Sequence, residues 1–401
     1  MTLPPEQAEI RDLILASDGD DARITAAVAE IGTDRAAAVL VDELVSRADL
    51  TEITGLATTP VAFDIALEHD GRVVHRHVRA GGDAEHAPGP AADPAATVEG
   101  RLVDFVRAVF GPANALCDRA PRIRWHLLDD PTLSFSDTAR LALTAGKRLL
   151  QGLSQQPVDL AELSLRTGSD KWGLHYYTPH YARHFEPLRD RPLTILELGI
   201  GGYANPAKGG GSLRIWKRLF RRAMIFGVDI YDKSPLREGR IHTVQGDQSD
   251  PDFLTSLAER IGPIDIVIDD GSHRCADVIS AFHALYPHVV PGGLYVIEDL
   301  QTSYWPGYGG SAERLDDPAT SMGFLKRLLD GLHHRECELP DGHVPDVAAR
   351  TLVGAHFYHN LAFLEKADNA EPSLPSWIPR RPLSEAEMSA VAAQTATDEP
   401  A

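Results

Sequence analysis

The spacing of apolar residues changes character twice along this chain. Over 6–17 and 21–48 they recur at helical intervals, with Ile24, Val28 and Ile31, then Ala38, Leu40, Val41, Leu44 and Val45 on one side, which predicts a helix pair. The stretch TTPVAFDIALEHDGRVVHRHVRA then alternates. Val61, Phe63, Ile65 and Leu67 share a face, Asp70-Gly71 supplies a tight turn, and Val73 to Val78 return, so a hairpin is expected. GGDAEHAPGPAADPAA, residues 81–96, reads as a surface loop or linker, and helical patterns follow at 97–110 and 136–153.

From 192 onward strand patterns alternate with helical ones. The strands expected are 193–198, 224–229, 241–245, 264–269 and 294–298, each short and mostly apolar. Such strands suit a parallel sheet covered on both faces. LVGAHFYHNLAFLEKA reads as two further strands around a turn near His359-Asn360, an antiparallel finish to a doubly wound α/β sheet. At 401 residues the chain is long for a single core. The expected division is an N-terminal α+β auxiliary domain over 1–155, for packing, oligomer contacts or covering a site, and a catalytic domain over 156–401.

Composition narrows the partners. A formal net charge of −19 argues against nucleic acid, because neutralising phosphates takes clustered Lys and Arg. MTLPPEQAEIRDLILAS carries acids where a secretory leader needs positive charge, and no apolar run reaches membrane-spanning length. A cytoplasmic protein without membrane association is expected. Cys117, Cys275 and Cys337 are odd in number and lack metal-like spacing, which speaks against a disulfide framework or a zinc-cysteine site.

The chemistry is expected at the strand ends. The first catalytic strand runs out in ILELGIGGYANPAKGGGSLRIW, placing Gly199, Gly201 and Gly202 where open parallel sheets bind ligands. Ala204 stands where a dinucleotide fingerprint needs its last glycine. Glu197 before the glycines suits a positively charged ligand without pyrophosphate, and S-adenosylmethionine is one. Asp229 ends the second strand as an acceptor for ribose hydroxyls, while Gln245 and Asp247 close the third, near the adenine. Gly199, Tyr203 and Ser212 complete the expected cofactor set. Ordinary strand-to-helix turns would explain any one of these positions alone.

The fourth and fifth strands end VIDDGSH and VIEDL. As sheet neighbours they gather Asp269, Asp270, His273, Glu298 and Asp299, and crowded carboxylates call for protons or a cation. An oxygen-rich set suits Mg²⁺, or Mn²⁺, over zinc. Alternation sends Asp269 and Asp270 to different sides, so Asp269 is assigned to the cofactor, and Asp270, Glu298 and Asp299 to the metal. His273 is the expected proton acceptor; a helix-capping turn with a surface histidine is the blander reading. His175, His180 and His184 in GSDKWGLHYYTPHYARHFE are as readily structural as functional. QTSYWPGYGG, 301–310, is expected to be a mobile loop offering Tyr304, Trp305 and Tyr308 to a sugar or polyketide.

GSDKWGLHYYTPHYARHF, ILELGIGGY, GGGSLRIWK, VQGDQ, DIVIDDGSH, PGGLYVIEDLQTSYWPGYGG, HFYHNLAFLEK and SWIPR together resemble the metal-dependent deoxysugar O-methyltransferases of antibiotic biosynthesis. The resemblance runs over 160–380. It implies a class I S-adenosylmethionine-dependent methyltransferase fold, Mg²⁺ and a homotetramer. His273 would be the catalytic base, and Asp270, Glu298 and Asp299 the metal acids. It also implies a glycosylated polyketide or macrolide substrate, methylated at a hydroxyl, expected to be the 2-hydroxyl, of a rhamnose- or 6-deoxyallose-type sugar. Rival readings are a metal-dependent tailoring enzyme of the same fold acting on a non-sugar substrate, hydroxylase-like, and a non-catalytic cofactor-binding protein. A nucleotide-dependent oxidoreductase is disfavoured by Ala204.

Overall fold

Gly32 interrupts the first long helical stretch. Its φ of 90° lies where L side chains rarely go, so 21–48 folds as α2 (Asp21–Ile31) and α3 (Thr33–Ala48), following α1 (Pro5–Ala16). Asp20 caps α2 by accepting the Arg23 amide. The computed structural model describes residues 5–114, 121–127, 129, 136–154, 157–337, 344–375 and 377–397; Cys117 lies outside them.

The expected hairpin forms from β1 (Val61–His69) and β2 (Arg72–Ala80), with His69 opposite Arg72. Asp70 at φ 49° and Gly71 at φ 74° give the positive dihedrals that a two-residue turn between twisted strands requires. Two neighbouring expectations fail. The presumed linker contains β3 (Ala84–Pro88), paired to β2. The presumed helix from 97 begins as β4 (Ala96–Arg101), parallel to β1, and only then becomes α4 (Leu102–Phe110). The ladder edge of β1 needs a partner, and β-branched Thr97 and Val98 suit one. With β5 (Arg122–Trp125) the sheet order is β3-β2-β1-β4-β5. Helices α3, α4 and α5 (Asp137–Gly152) pack on it.

The second sheet carries the chemistry. Ahead of it come α6 (Leu160–Thr167) and α7 (Thr178–Phe185). Its strands are β6 (Leu193–Leu198), β7 (Ala223–Asp229), β8 (Ile241–Gln245), β9 (Ile264–Asp269), β10 (Val289–Ile297), β11 (Leu352–Tyr358) and β12 (Leu361–Lys366). They lie in the order β11-β12-β10-β9-β6-β7-β8. β6 to β10 are parallel, and β12 runs antiparallel to β10 and β11. Every residue of β6 is buried, which is why its sequence is nearly all apolar. The fifth parallel strand starts earlier than expected, at Val289, and its register shifts across Pro291-Gly292-Gly293. Helices α8 (Gly211–Leu219), α9 (Pro251–Ile261), α10 (Cys275–Leu285), α11 (Ser321–Gly331), α12 (Val347–Thr351) and α13 (Glu385–Thr397) complete the described chain. Among described residues no helix is long and apolar enough to cross a membrane.

The chain steps outward from β6 to β7 and β8, then returns to the other side of β6 as β9. Loops leaving β6 and β9 therefore diverge, and a crevice opens at their carboxyl ends.

A buried ion cluster joins the two sheets' layers. Arg240, just before β8, donates from Nη2 to Glu43 Oε1 of α3 at 2.9 Å and to the Lys217 carbonyl at 2.6 Å. Arg47 Nε reaches the same Glu43 oxygen at 2.8 Å. Burial would push the Glu43 carboxyl up, but Arg240, Arg47 and Lys217 hold it well below the usual carboxylate range. A depressed folded value stabilises the fold above the unfolded value of about 4.3, and that stabilisation is lost as pH falls through the folded value. Glu43→Gln is expected to lower unfolding free energy by about 3–5 kcal/mol at neutral pH. Urea titrations from pH 7 down to 3 should show the gap between wild type and variant narrowing only below roughly pH 4.

Candidate active site

The register sets the crevice floor. Leu198 pairs with Asp269, and the Asp270 amide donates to the Leu198 carbonyl at 3.0 Å, so Gly199 lies against Asp270. A Cβ on Gly199 would fall 2.1 Å from the Asp270 carbonyl oxygen, and its φ is +89°; only glycine fits. The glycine loop that follows is pinned from below. Lys233, 1% exposed, donates its ammonium to the carbonyls of Tyr203, Asn205 and Lys208 at 2.7, 2.8 and 2.9 Å, using all three of its donors.

The crevice encloses about 520 Å³, within the roughly 300–1,000 Å³ usual for small-molecule sites. Its lining includes the carboxylates of Asp170, Asp229, Asp247, Asp270 and Asp299 and, among the described residues, no lysine or arginine. That field suits a sulfonium and a metal cation and repels a pyrophosphate. Asp229 is held at the side, its Oδ2 accepting the Ile200 amide at 3.0 Å and its Oδ1 the Tyr231 amide at 2.9 Å. Each oxygen keeps a lone pair for a ligand hydroxyl.

Behind the lip sits one buried ammonium. Lys171 Nζ is 2.9 Å from Asp270 Oδ2, 2.6 Å from Glu298 Oε1 and 3.9 Å from Glu197 Oε1. Tyr181 donates its hydroxyl to the same Glu298 oxygen. Burial alone would depress the Lys171 ammonium, but Asp270, Glu298 and Glu197 hold it well above its ordinary value. Burial, with Asp270 adding to it, raises Glu298 well above the carboxylate range; burial raises Asp270 against the pull of Lys171 and His273. Glu197 is pushed up to about 7, chiefly by burial. Three carboxyl groups thus face one ammonium, and the cluster calls on protons or a further cation for the rest of its neutralisation.

At the lip, Asp270, His273 and Asp299 bring one donor atom each to within 4.8 Å of one another. Asp299 Oδ1 accepts the Tyr177 hydroxyl at 2.9 Å and lies 3.6 Å from His175 Nε2; its Oδ2 lies 3.6 Å from His273 Nε2. His273 at φ 57° and Asp299 at φ 55° both adopt left-handed backbone, an arrangement that recurs where side chains are aimed for function.

Of the expected cofactor residues, Gly199, Tyr203, Ser212, Asp229 and Asp247 line the crevice. Three others do not. Glu197 is fully buried, accepting Trp216 Nε1 at 2.8 Å on Oε2 and bonding Ser212, so it ties β6 to α8. Asp269 remains in the ladder opposite Leu198 and Ile297, so its carboxyl turns inward, where Gln248 Nε2 donates to it at 2.7 Å. Burial lifts that carboxyl to about 7. Gln245 bonds the Ile230 carbonyl at 3.1 Å outside the lining. Glu298, expected among the metal acids, is 3% exposed and stands one ammonium behind the lip set because Lys171 and Tyr181 engage it. The loop expected to be mobile after Asp299 is instead folded as two 3-10 turns, 300–304 and 306–308, with Trp305 and Tyr308 rings 5.9 Å apart.

Sequence reasoning missed Lys171, Tyr177, Tyr181, Lys233 and Gln248. The first three lie in the aromatic stretch before β6, whose crowding was their only signal. Lys171→Met should leave two buried carboxylates and that of Asp270 without their ammonium and cost about 3–5 kcal/mol of stability. Urea midpoints read this, and a loss under about 1 kcal/mol would mean that protons alone neutralise the cluster.

A family model described as "MycE methyltransferase N-terminal" matches residues 10–120. The chain is 47% identical over 363 residues to the 8-demethyl-8-alpha-L-rhamnosyl tetracenomycin-C 2'-O-methyltransferase of Streptomyces olivaceus, covering 90% of this chain and 95% of that one. It is 45% identical to the demethylmacrocin O-methyltransferase of Streptomyces fradiae, covering 95% and 96% of the two chains. Identity to the mycinamicin VI 2''-O-methyltransferase of Micromonospora griseorubida is 40%, over 94% and 95%. The solved MycE methyltransferase in complex with Mg, SAH and mycinamycin VI superposes with a TM-score of 0.85 at 39% identity, covering 96% of this chain and 99% of that one. Matched from end to end in sequence and in fold, the chain belongs to the family of sugar O-methyltransferases of antibiotic pathways.

Proposed function

We propose that this enzyme transfers the methyl group of S-adenosylmethionine to a deoxysugar hydroxyl on a polyketide or macrolide, with Mg²⁺ at the crevice lip. The 2-hydroxyl of a rhamnose- or 6-deoxyallose-type ring is the favoured acceptor. One observation carries the reading: a crevice lined by five carboxylates and no lysine or arginine, with Asp270, His273 and Asp299 clustered at its lip. The relatives' names, which specify rhamnosyl tetracenomycin and mycinamicin VI, support a sugar on a polyketide.

Gly199, Tyr203, Ser212, Asp229 and Asp247 are the residues proposed to hold the cofactor, Asp229 meeting the ribose hydroxyls and Asp247 the adenine side. Glu197, Gln245 and Asp269 support them from behind. When bound, Mg²⁺ would supply positive charge that lowers the pKa of a sugar hydroxyl. Asp270 and Asp299 are the oxygen donors that would hold it, with Glu298 as the third acid, shared with Lys171. A hard ion prefers oxygen, which leaves the His273 imidazole to take a proton. The sulfonium methyl is already activated, so the chain's remaining task is to align the hydroxyl with it. His273 Nε2 accepts the hydroxyl proton, and the imidazolium it becomes faces Asp299 Oδ2, 3.6 Å away. Tyr177 and His175 keep that carboxylate in place. An N-terminal domain over 1–155, a catalytic domain over 156–401 and a cytoplasmic setting, supported by the sequence pattern and cysteine usage, and a homotetrameric assembly, supported by the family resemblance, complete the proposal.

With methyl-labelled cofactor and deoxysugar-bearing polyketides, label is expected on a sugar oxygen. It should vanish in excess chelator and return with Mg²⁺. His273→Ala and Asp270→Ala are expected to keep the wild-type circular dichroism spectrum and to lose about 10²–10⁴-fold in turnover. Full turnover by either variant, or by wild type in excess chelator, removes the mechanism; label on a non-sugar position removes the substrate class. Sedimentation equilibrium tests the tetramer, which a monomer at micromolar concentration would end.

A further inference from the structure

A second cluster of donor atoms lies outside the crevice. His184 on α7, His356 on β11 and Glu365 on β12 each bring one donor to within 4.8 Å of the others, and all three are half-buried. None of them lines the crevice, and the proposed chemistry uses none of them. They sit in two stretches that stood out in the sequence, HYARHF and HFYHNLAFLEK.

Each donor is prepared for an ion. His356 Nε2 and Glu365 Oε1 lie 2.9 Å apart. With metal–ligand bonds of about 2.1 Å, two donors so spaced subtend about 90° at a shared ion, and a shift of a few tenths of an ångström opens that toward tetrahedral. His184 Nε2 is engaged by the Tyr358 hydroxyl at 2.9 Å, the kind of outer partner that fixes the tautomer of a metal-bound imidazole. A simple cross-strand ion pair would need only His356 and Glu365. The third donor comes from a helix, and its ring stacks on Phe363 at 4.2 Å.

We propose that His184, His356 and Glu365 form a second divalent-metal site, selective for a borderline ion such as Zn²⁺ over Mg²⁺, that ties α7 to the antiparallel hairpin at the sheet edge. Two imidazoles and one carboxylate are a zinc-type donor set, whereas the lip offers oxygens to a harder ion. The clamp would act on the frame of the crevice. Tyr181 of α7 engages Glu298, and Tyr177, its N-terminal neighbour, bonds both Asp299 and the carbonyl of Asn360 in the hairpin turn.

The test is metal counting on the intact protein. Wild type, His184→Ala, Glu365→Gln and Asp270→Asn are dialysed against micromolar Zn²⁺ in millimolar Mg²⁺, and bound zinc is measured by mass spectrometry. His184→Ala and Glu365→Gln are each expected to hold one zinc per protomer fewer than wild type, while Asp270→Asn keeps that ion. Co²⁺ substituted into Asp270→Asn should show visible ligand-field bands that are absent once Glu365→Gln is added. Zinc should raise the Tm of wild type by several degrees and leave that of Glu365→Gln unmoved; this variant alters a half-exposed side chain, so its fold is expected to survive. Equal zinc content in wild type, His184→Ala and Glu365→Gln overturns the proposal. So does loss of all zinc from Asp270→Asn, which would put the ion at the lip.

Discussion

One ammonium, from Lys171, stands among three carboxylates, those of Glu197 and Glu298 buried and that of Asp270 at the lip, and the geometry of the crevice lip depends on it. Asp270, Glu298 and Glu197 leave three different strand ends, and Lys171 reaches all of them from the segment preceding the sheet. Without a shared cation such acids would repel one another and drive the strand ends apart. With one, they converge, and the charge that the ammonium does not balance is left to protons or to a further cation at the lip. Tyr181 and Tyr177 extend the arrangement to Glu298 and Asp299. The left-handed backbone at His273 and Asp299, an expense of about 1–3 kcal/mol at each, is tolerated because these contacts over-determine it.

What the sequence disclosed and what it withheld divide along a physical line. Strands β6 to β9 were legible because burial on both faces writes itself as an apolar run, and the Asp70-Gly71 turn because positive φ restricts residue choice. β3 and β4 were not legible, since AEHAP and ATVEGR become strands only by borrowing the open edges of β2 and β1. The acids at the lip were legible as strand-end residues. Their division of labour was not, because Asp269 and Glu298 differ from Asp270 and Asp299 in which neighbours from distant segments cover them. Lys171 lies 99 residues from Asp270 and 127 from Glu298, and no local pattern announces such a partner.

Among the described residues, none from the N-terminal layer lines the crevice. Among its connections to the second sheet is the one that runs through Glu43 and Arg47 on α3 to Arg240 and Lys217, beside ion pairs such as Arg218 to Asp49 and Arg222 to Asp18. Arg240 also bonds the carbonyls of Phe220 and Ala223 at 2.7 and 2.9 Å, so the same guanidinium that meets α3 braces the end of α8 and the start of β7. The auxiliary layer thereby stiffens the strand and helix that flank the glycine loop.

The crevice wall free of lysine and arginine has a kinetic corollary. Methyl transfer converts a sulfonium into a neutral thioether, so the attraction that drew the donor in disappears in the same event that forms the product. The spent donor keeps its ammonium and carboxylate but has lost the sulfonium's share of the attraction to the five carboxylates of the wall. The same electrostatics that favour a fresh donor therefore favour the used one less, and exchange of one for the other runs downhill.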